Sequence, residues 1–104
     1  MIVTTTGSVE GKNILTYHGV VAGEAVMGTN FVRDFFARVT DKLGGRSDAY
    51  QKEIQNARAF ALEDLIEEAE DYGANGVVGV SMDVEVIGDS MLMVIVSGTA
   101  VTLS

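Results

Sequence analysis

The sequence has no cysteine, no proline and no tryptophan, and its only histidine is His18. Without cysteine, disulfides, thiolate nucleophiles and cysteine-based zinc or iron–sulfur sites are excluded. A transition-metal site built by this chain would have to rest on carboxylates, thioethers and His18. Basic residues are scarce as well: 7 Lys and Arg stand against 15 Asp and Glu, a formal net charge of −8. Phosphate backbones and anionic bilayers would be repelled rather than neutralised, so neither nucleic acid nor a membrane is expected as a partner. No apolar run reaches the roughly 18 residues that a membrane-spanning helix requires. The first residues enter a Thr-rich, strand-like segment, without the basic and apolar regions of a secretion signal. A cytoplasmic protein is the expectation.

What is present suits one folded domain over residues 1–104, with 47% apolar residues. Twelve glycines supply the breaks that proline does not. Residues 2–6 read as a short strand and 7–13 as turn chemistry. A β-rich run covers 14–22, with Gly23 and Gly28 bounding a short extended piece at 24–27. A short helix is expected over 31–43, ended by Gly44 and Gly45. Ser47 or Asp48 then caps a long helix. Tyr50, Ile54, Ala57, Ala61, Leu65, Ala69 and Tyr72 recur at steps of three and four and form one apolar stripe, widened by Phe60 and Ile66. Gly73 with Asn75 and Gly76 stops it.

Residues 77–87 and 91–103 read as two long strands joined by a three-residue loop. If Ile87 pairs with Met91, the even-numbered face sets Val78, Val80, Met82, Val84 and Val86 against Ala100, Gly98, Val96, Val94 and Leu92. This apolar face is expected to cover the long helix. The odd face mixes Ser81, Asp83 and Glu85 with Ile87, Met91, Met93 and Ile95. It is too apolar for open water and too charged for a core, which leaves two readings: an interface between copies of the chain, or a monomer whose N-terminal strands cover this face.

Candidate chemistry is sparse. His18 would need an orienting carboxylate or a nucleophile to act as a base, and a structural hydrogen bond is the simpler role. A metal set would draw on His18, Asp83 and Glu85, with the methionines as soft donors. Gly45, Arg46 and Ser47 at the start of the long helix suit a phosphate or carboxylate, although no Walker or dinucleotide fingerprint is present. The acidic run Glu63, Asp64, Glu67, Glu68, Glu70 and Asp71 sits near the helix C-terminus, where the dipole disfavours it, and reads as a solvated face. No nucleophile–base–orienter set emerges, so an enzyme is not expected.

Gly19-Val20-Val21-Ala22-Gly23-Glu24, Arg33-Asp34-Phe35-Phe36 and Gly44-Gly45-Arg46-Ser47 with Tyr50 form one ordered series. Ala57-Arg58, Gly73-Ala74-Asn75-Gly76-Val77-Val78-Gly79-Val80 and Ser97-Gly98-Thr99-Ala100-Val101 continue it across nearly the whole chain. In this series the chain resembles the YbjQ-like family of small prokaryotic proteins, sometimes labelled heavy-metal-binding. The resemblance implies an α+β, dodecin-like β-α-β-β subunit, with an antiparallel sheet packed on one long helix. It further implies rings of five subunits, singly or in pairs. It brings no established activity, and the chain lacks the Cys-x-x-Cys that a soft-metal site would use. The expectation is a non-enzymatic homo-oligomer, pentamer or decamer, that binds a ligand or serves as a scaffold, with a bound metal ion as the alternative.

Overall fold

The computed structural model describes residues 1–27, 48–87 and 91–104. They form β1 (Ile2–Val3), β2 (Ile14–Met27), α1 (Asp48–Asp71), β3 (Gly76–Ile87) and β4 (Met91–Leu103). The expected helix over 31–43 and the turn at 44–47 lie outside the described residues. The sheet order is β1-β3-β4-β2, so the last strand in sequence fills the middle. Both β2 and β3 run antiparallel to β4 and hence parallel to each other. β1 pairs parallel to β3, which makes the sheet mixed rather than wholly antiparallel. The reason lies in residues 7–13. They return the chain to the end of the sheet where β1 began, held there by Asn13 N–H to Ser104 Oγ and Ser104 N–H to the Asn13 carbonyl, both 2.9 Å.

The long helix carries the expected stripe: Ala57, Ala61, Leu65 and Ala69 are buried, with Ile54 and Leu62 packed beside them. It ends as its glycine predicts. Gly73 takes φ +79°, its N–H bonds the Glu70 carbonyl, and the Ala74 N–H reaches back to the Ala69 carbonyl. This is a Schellman closure, with apolar Ala74 buried against the last turn. Phe60 and Tyr72 differ from expectation and are mostly exposed, because the stripe that meets the sheet is narrow and made of small residues.

The helix packs mainly on β2, next on β4, and barely touches β3. Gly23 sets that geometry. A Cβ there would collide with the Ala61 carbonyl and stand 2.5 Å from the Leu65 nitrogen, so helix backbone rests directly on strand backbone. Gly23 therefore does not break β2, which continues unbroken from Ile14 to Met27. The core under the helix comprises Val21, Ala25 and Met27 of β2, Leu92, Val94, Val96 and Ala100 of β4, and Val77 and Val80 of β3.

The hairpin register holds from Ile87↔Met91 through Met82↔Val96 to Ser81↔Ser97. Beyond Ser81 it shifts, and Val77 rather than Val78 faces Ala100. Gly79, at φ +62°, is the extra residue of a β-bulge. The slip turns Val78 to the other face, where it joins Val101 and Leu103 in a second small core with Val9 and Ile14. Met82, Val84 and Val86 do lie on the helix side, but they remain 37%, 54% and 50% exposed because α1 does not reach over β3.

Candidate functional site

The face of the sheet away from α1 carries the residues with most chemical character. Directly opposed residues share a face, so the register builds it row by row. Glu24, Ile95 and Asp83 form one row, Val26, Met93 and Glu85 the next, and Ala22, Ser97 and Ser81 a third. In the third row the Ser81 and Ser97 hydroxyls lie 3.5 Å apart. Val20 and Val26 are largely exposed on this face, Met91 is at its margin, and Met93 and Ile95 are half-buried. It is the mixed apolar and acidic surface expected of the odd-numbered face, extended by β2. Of the four interface candidates, Met91, Met93 and Ile95 belong to it. Ile87 is placed by its backbone pairing with Met91.

The metal candidates do not converge within one subunit. The His18 ring takes Nε2 to within 2.7 Å of the Thr102 hydroxyl and is half-buried there, in the structural role considered for it. Asp83 stands opposite Ile95, seven positions along β4 from Thr102, or roughly 23 Å at strand rise. Glu24 and Asp83 flank Ile95 from the two outer strands, about 10 Å apart at ordinary strand spacing. No group of three or more His, Cys, Asp or Glu residues able to hold an ion occurs among the described residues. The methionines are equally dispersed: Met27 is buried against the helix, Met82 faces the helix side, and Met91 and Met93 face the other. Among the described residues, the donors of a single subunit thus do not gather for a soft metal. Gly45, Arg46 and Ser47 lie outside the described residues.

Two acidic side chains have a role that the sequence pattern conceals. Glu68 Oε2 accepts the Ala22 N–H at 3.2 Å, and Asp64 Oδ2 accepts the Glu24 N–H at 3.1 Å. Both amides point away from β4 at the outer edge of the sheet. Four helical residues rise about 6 Å and two strand residues about 6.6 Å, so carboxylates spaced i,i+4 match alternate strand amides. The like-charge pair Asp64/Glu68 is tolerated because each carboxylate receives a backbone donor. The signal was present as i,i+4 acids bordering the buried stripe, but only the tertiary placement of β2 reveals their partners.

Two open clefts flank β1. One, about 330 Å³, lies between Val3, Thr4 and Thr5, the helix residues Leu62 and Ile66, and Val80 and Met82 of β3. The other, about 550 Å³, is lined by Ile2, Thr4, Thr6, Ser8, Val9 and Glu10, with the Thr4 and Thr6 hydroxyls bonded to each other at 2.8 Å. This second cleft holds the hydroxyls of Thr4, Thr6 and Ser8 together with Glu10, and the Thr6 hydroxyl is spent on the Ser8 carbonyl rather than on that carboxylate.

A family model described as "Putative heavy-metal-binding" matches residues 1–104. Among solved structures, a protein of unknown function of the DUF74 family from Pediococcus pentosaceus is similar at 18% identity and TM-score 0.66. The alignment covers 100% of this chain and 98% of that one. At that identity the likeness speaks for the fold.

Proposed function

The chain belongs to the YbjQ family, whose description reads "Putative heavy-metal-binding", and from that premise we propose that it works as a homo-oligomeric binding or scaffold protein. Its subunit, dodecin-like in the order β2, α1, β3, β4, assembles into a ring, a pentamer or a pair of them, in the cytoplasm. The observation that carries this reading is the face turned away from α1. Val20 at 77% and Val26 at 57% exposure share it with Glu24, Asp83 and Glu85. An apolar surface of this kind is costly in water, at about 25 cal/mol for each Å² left uncovered, and its carboxylates exclude it from a dry core. A lumen or subunit boundary accommodates both, with the ligand held by residues from more than one copy. Among the described residues no helix is long and apolar enough to cross a membrane. Native mass spectrometry of protein purified without chelators tests the proposal. A multiple of the 11.0 kDa subunit is expected, and a clean monomer at micromolar concentration would sink it.

The family description supports a second reading, a metal ion bound by the assembly. Since the described donors of one subunit do not converge, an ion would draw carboxylates from neighbouring copies. Calorimetric titration with copper, zinc, nickel and calcium separates the readings: binding stoichiometric with subunits supports the metal, and no heat with any of them removes it.

A further inference from the structure

The sheet has two outer edges, and each is closed over only half its length. On β3, the segment leading out of β1 occupies the edge through Val80: Thr4 N–H bonds the Val77 carbonyl at 3.0 Å, Gly79 N–H the Thr6 carbonyl at 2.8 Å, and Val80 N–H the Thr4 carbonyl at 3.1 Å. Beyond Val80, residues 81–87 have no strand on that side among the described residues, and 81–86 are all exposed. On β2 the closed half is the other one, where Glu68 and Asp64 take the edge amides of Ala22 and Glu24. Residues 14–20 of β2 remain without an edge partner among the described residues.

These two open segments are equal in length, run parallel, and lie on opposite edges and at opposite ends of the sheet; the β2 segment is bulged between Ile14 and Thr16 and between Tyr17 and Gly19, where Gly19 takes φ +121°, so its regular stretches are short. Apolar exposure concentrates on them: Leu15 64%, Tyr17 68% and Val20 77% on one, Met82, Val84 and Val86 on the other. A long apolar edge strand left bare is a site of pairing with another chain. We propose that residues 81–87 of one copy pair in parallel with residues 14–20 of the next, so that each junction extends the sheet from subunit to subunit. This specifies the contacts of the ring proposed above and rests on that reading. The occupant is a second copy because the chain itself supplies the matching open edge. An isologous junction of β3 with its own symmetry mate, centred on Val84, would set Asp83 opposite Glu85 of the other copy, and like charges so placed repel. The head-to-tail junction avoids this, and it closes into a ring where the rotation between subunits permits. Joining opposite ends of the two edges displaces each subunit along the strand direction from its neighbour, the stagger that tilted strands need in order to close.

The absence of native cysteine gives a clean test. Double variants carry Val84→Cys or Glu85→Cys together with Thr16→Cys, Tyr17→Cys or Val20→Cys, and each single variant serves as control. Light scattering comes first, then mild oxidation and denaturing electrophoresis. At least one double variant is expected to give a ladder of linked subunits while the singles stay unlinked. An intact oligomer that gives no ladder in any combination, or a Val84→Cys single variant that links into dimers, overturns the junction and leaves the ring standing. A monomer by light scattering removes the ring reading and the junction with it. The unsubstituted protein supplies a second readout. By alternation from Val80, the amides of Met82, Val84 and Val86 point to the open edge, and hydrogen exchange there should be slow in the assembled protein. Exchange as fast as in an unpaired strand overturns the junction even if no variant folds.

Discussion

Replacing Gly23 with alanine would force a methyl group between two backbones. The added Cβ overlaps the Ala61 carbonyl and the Leu65 nitrogen, neither of which can rotate aside, so α1 must lift away from β2. Overpacking of this kind costs about 1–3 kcal/mol. The lift also stretches the Glu68–Ala22 and Asp64–Glu24 bonds. Hydrogen bonds to charged groups contribute about 1.5–3 kcal/mol when sheltered; the Asp64 bond is exposed and is discounted to well under that. The expected loss is about 3 kcal/mol, or roughly 12–20 °C in Tm for a domain of this size. Urea unfolding followed by circular dichroism, at one fixed protomer concentration, measures it. Gly98→Ala is the control. Its Cβ would meet the buried side chains of Val77 at 2.7 Å and Val80 at 3.1 Å and the Val78 carbonyl at 3.1 Å, contacts longer than the two backbone contacts at Gly23. Its expected cost is about 1 kcal/mol. If Gly23→Ala loses less than Gly98→Ala, the direct backbone contact is not what seats the helix.

Three further outcomes follow from the same geometry. Glu68→Ala should destabilise by about 1 kcal/mol and Asp64→Ala by less, with faster exchange of the Ala22 and Glu24 amides respectively; unchanged exchange would mean the carboxylates do not close the edge. Gly79→Ala should cost about 1–2 kcal/mol because an alanine is strained at positive φ, whereas Gly79→Asn should cost less; equal stability of all three proteins in urea would remove the bulge from the account. His18→Ala and Thr102→Val should each lose about 1 kcal/mol and the double variant little more than either, since both break the one 2.7 Å bond; fully additive losses in the double-mutant cycle would show that the two side chains act separately.

Much of the subunit was legible because it depends on local patterns. The helix stripe from Ile54 to Ala69, the stop at Gly73 and the hairpin register from Ile87↔Met91 to Ser81↔Ser97 all follow from periodicity and turn chemistry. The reading failed where one residue answers to a distant element. Gly23 looked like a break because a glycine between β-formers carries no mark of a helix pressed against it. Gly79 carries a bulge signal, an isolated glycine within a strand, and uninterrupted alternation across it puts Val78 on the wrong face. Even-numbered apolar residues on β3 were taken to lie under the helix, yet two carboxylates anchor α1 over β2. The acids themselves read as a solvated face, since nothing local distinguishes a side chain in water from one that reaches a strand amide. Of the candidate site, the mixed face was legible from alternation alone. The wide separation of His18 from Asp83 was not, because it depends on how β2 registers against β4.

The placement of β4 between β2 and β3 has a consequence for the order of events in folding. Both strands that flank it precede it in the chain, so neither can begin to pair with it until the chain has been made past Met91 and Leu92. The hairpin of β3 and β4 closes a short loop and is expected to form first, within microseconds. Docking β2 onto it spans most of the sequence, since Ile14 meets Leu103, and that step carries the larger entropic barrier. During synthesis, the chain up to Ile87 can pair β3 only with the short β1 and the segment after it, while β2 still lacks its partner. The sheet is therefore expected to close late, with β2 the last strand to find its place.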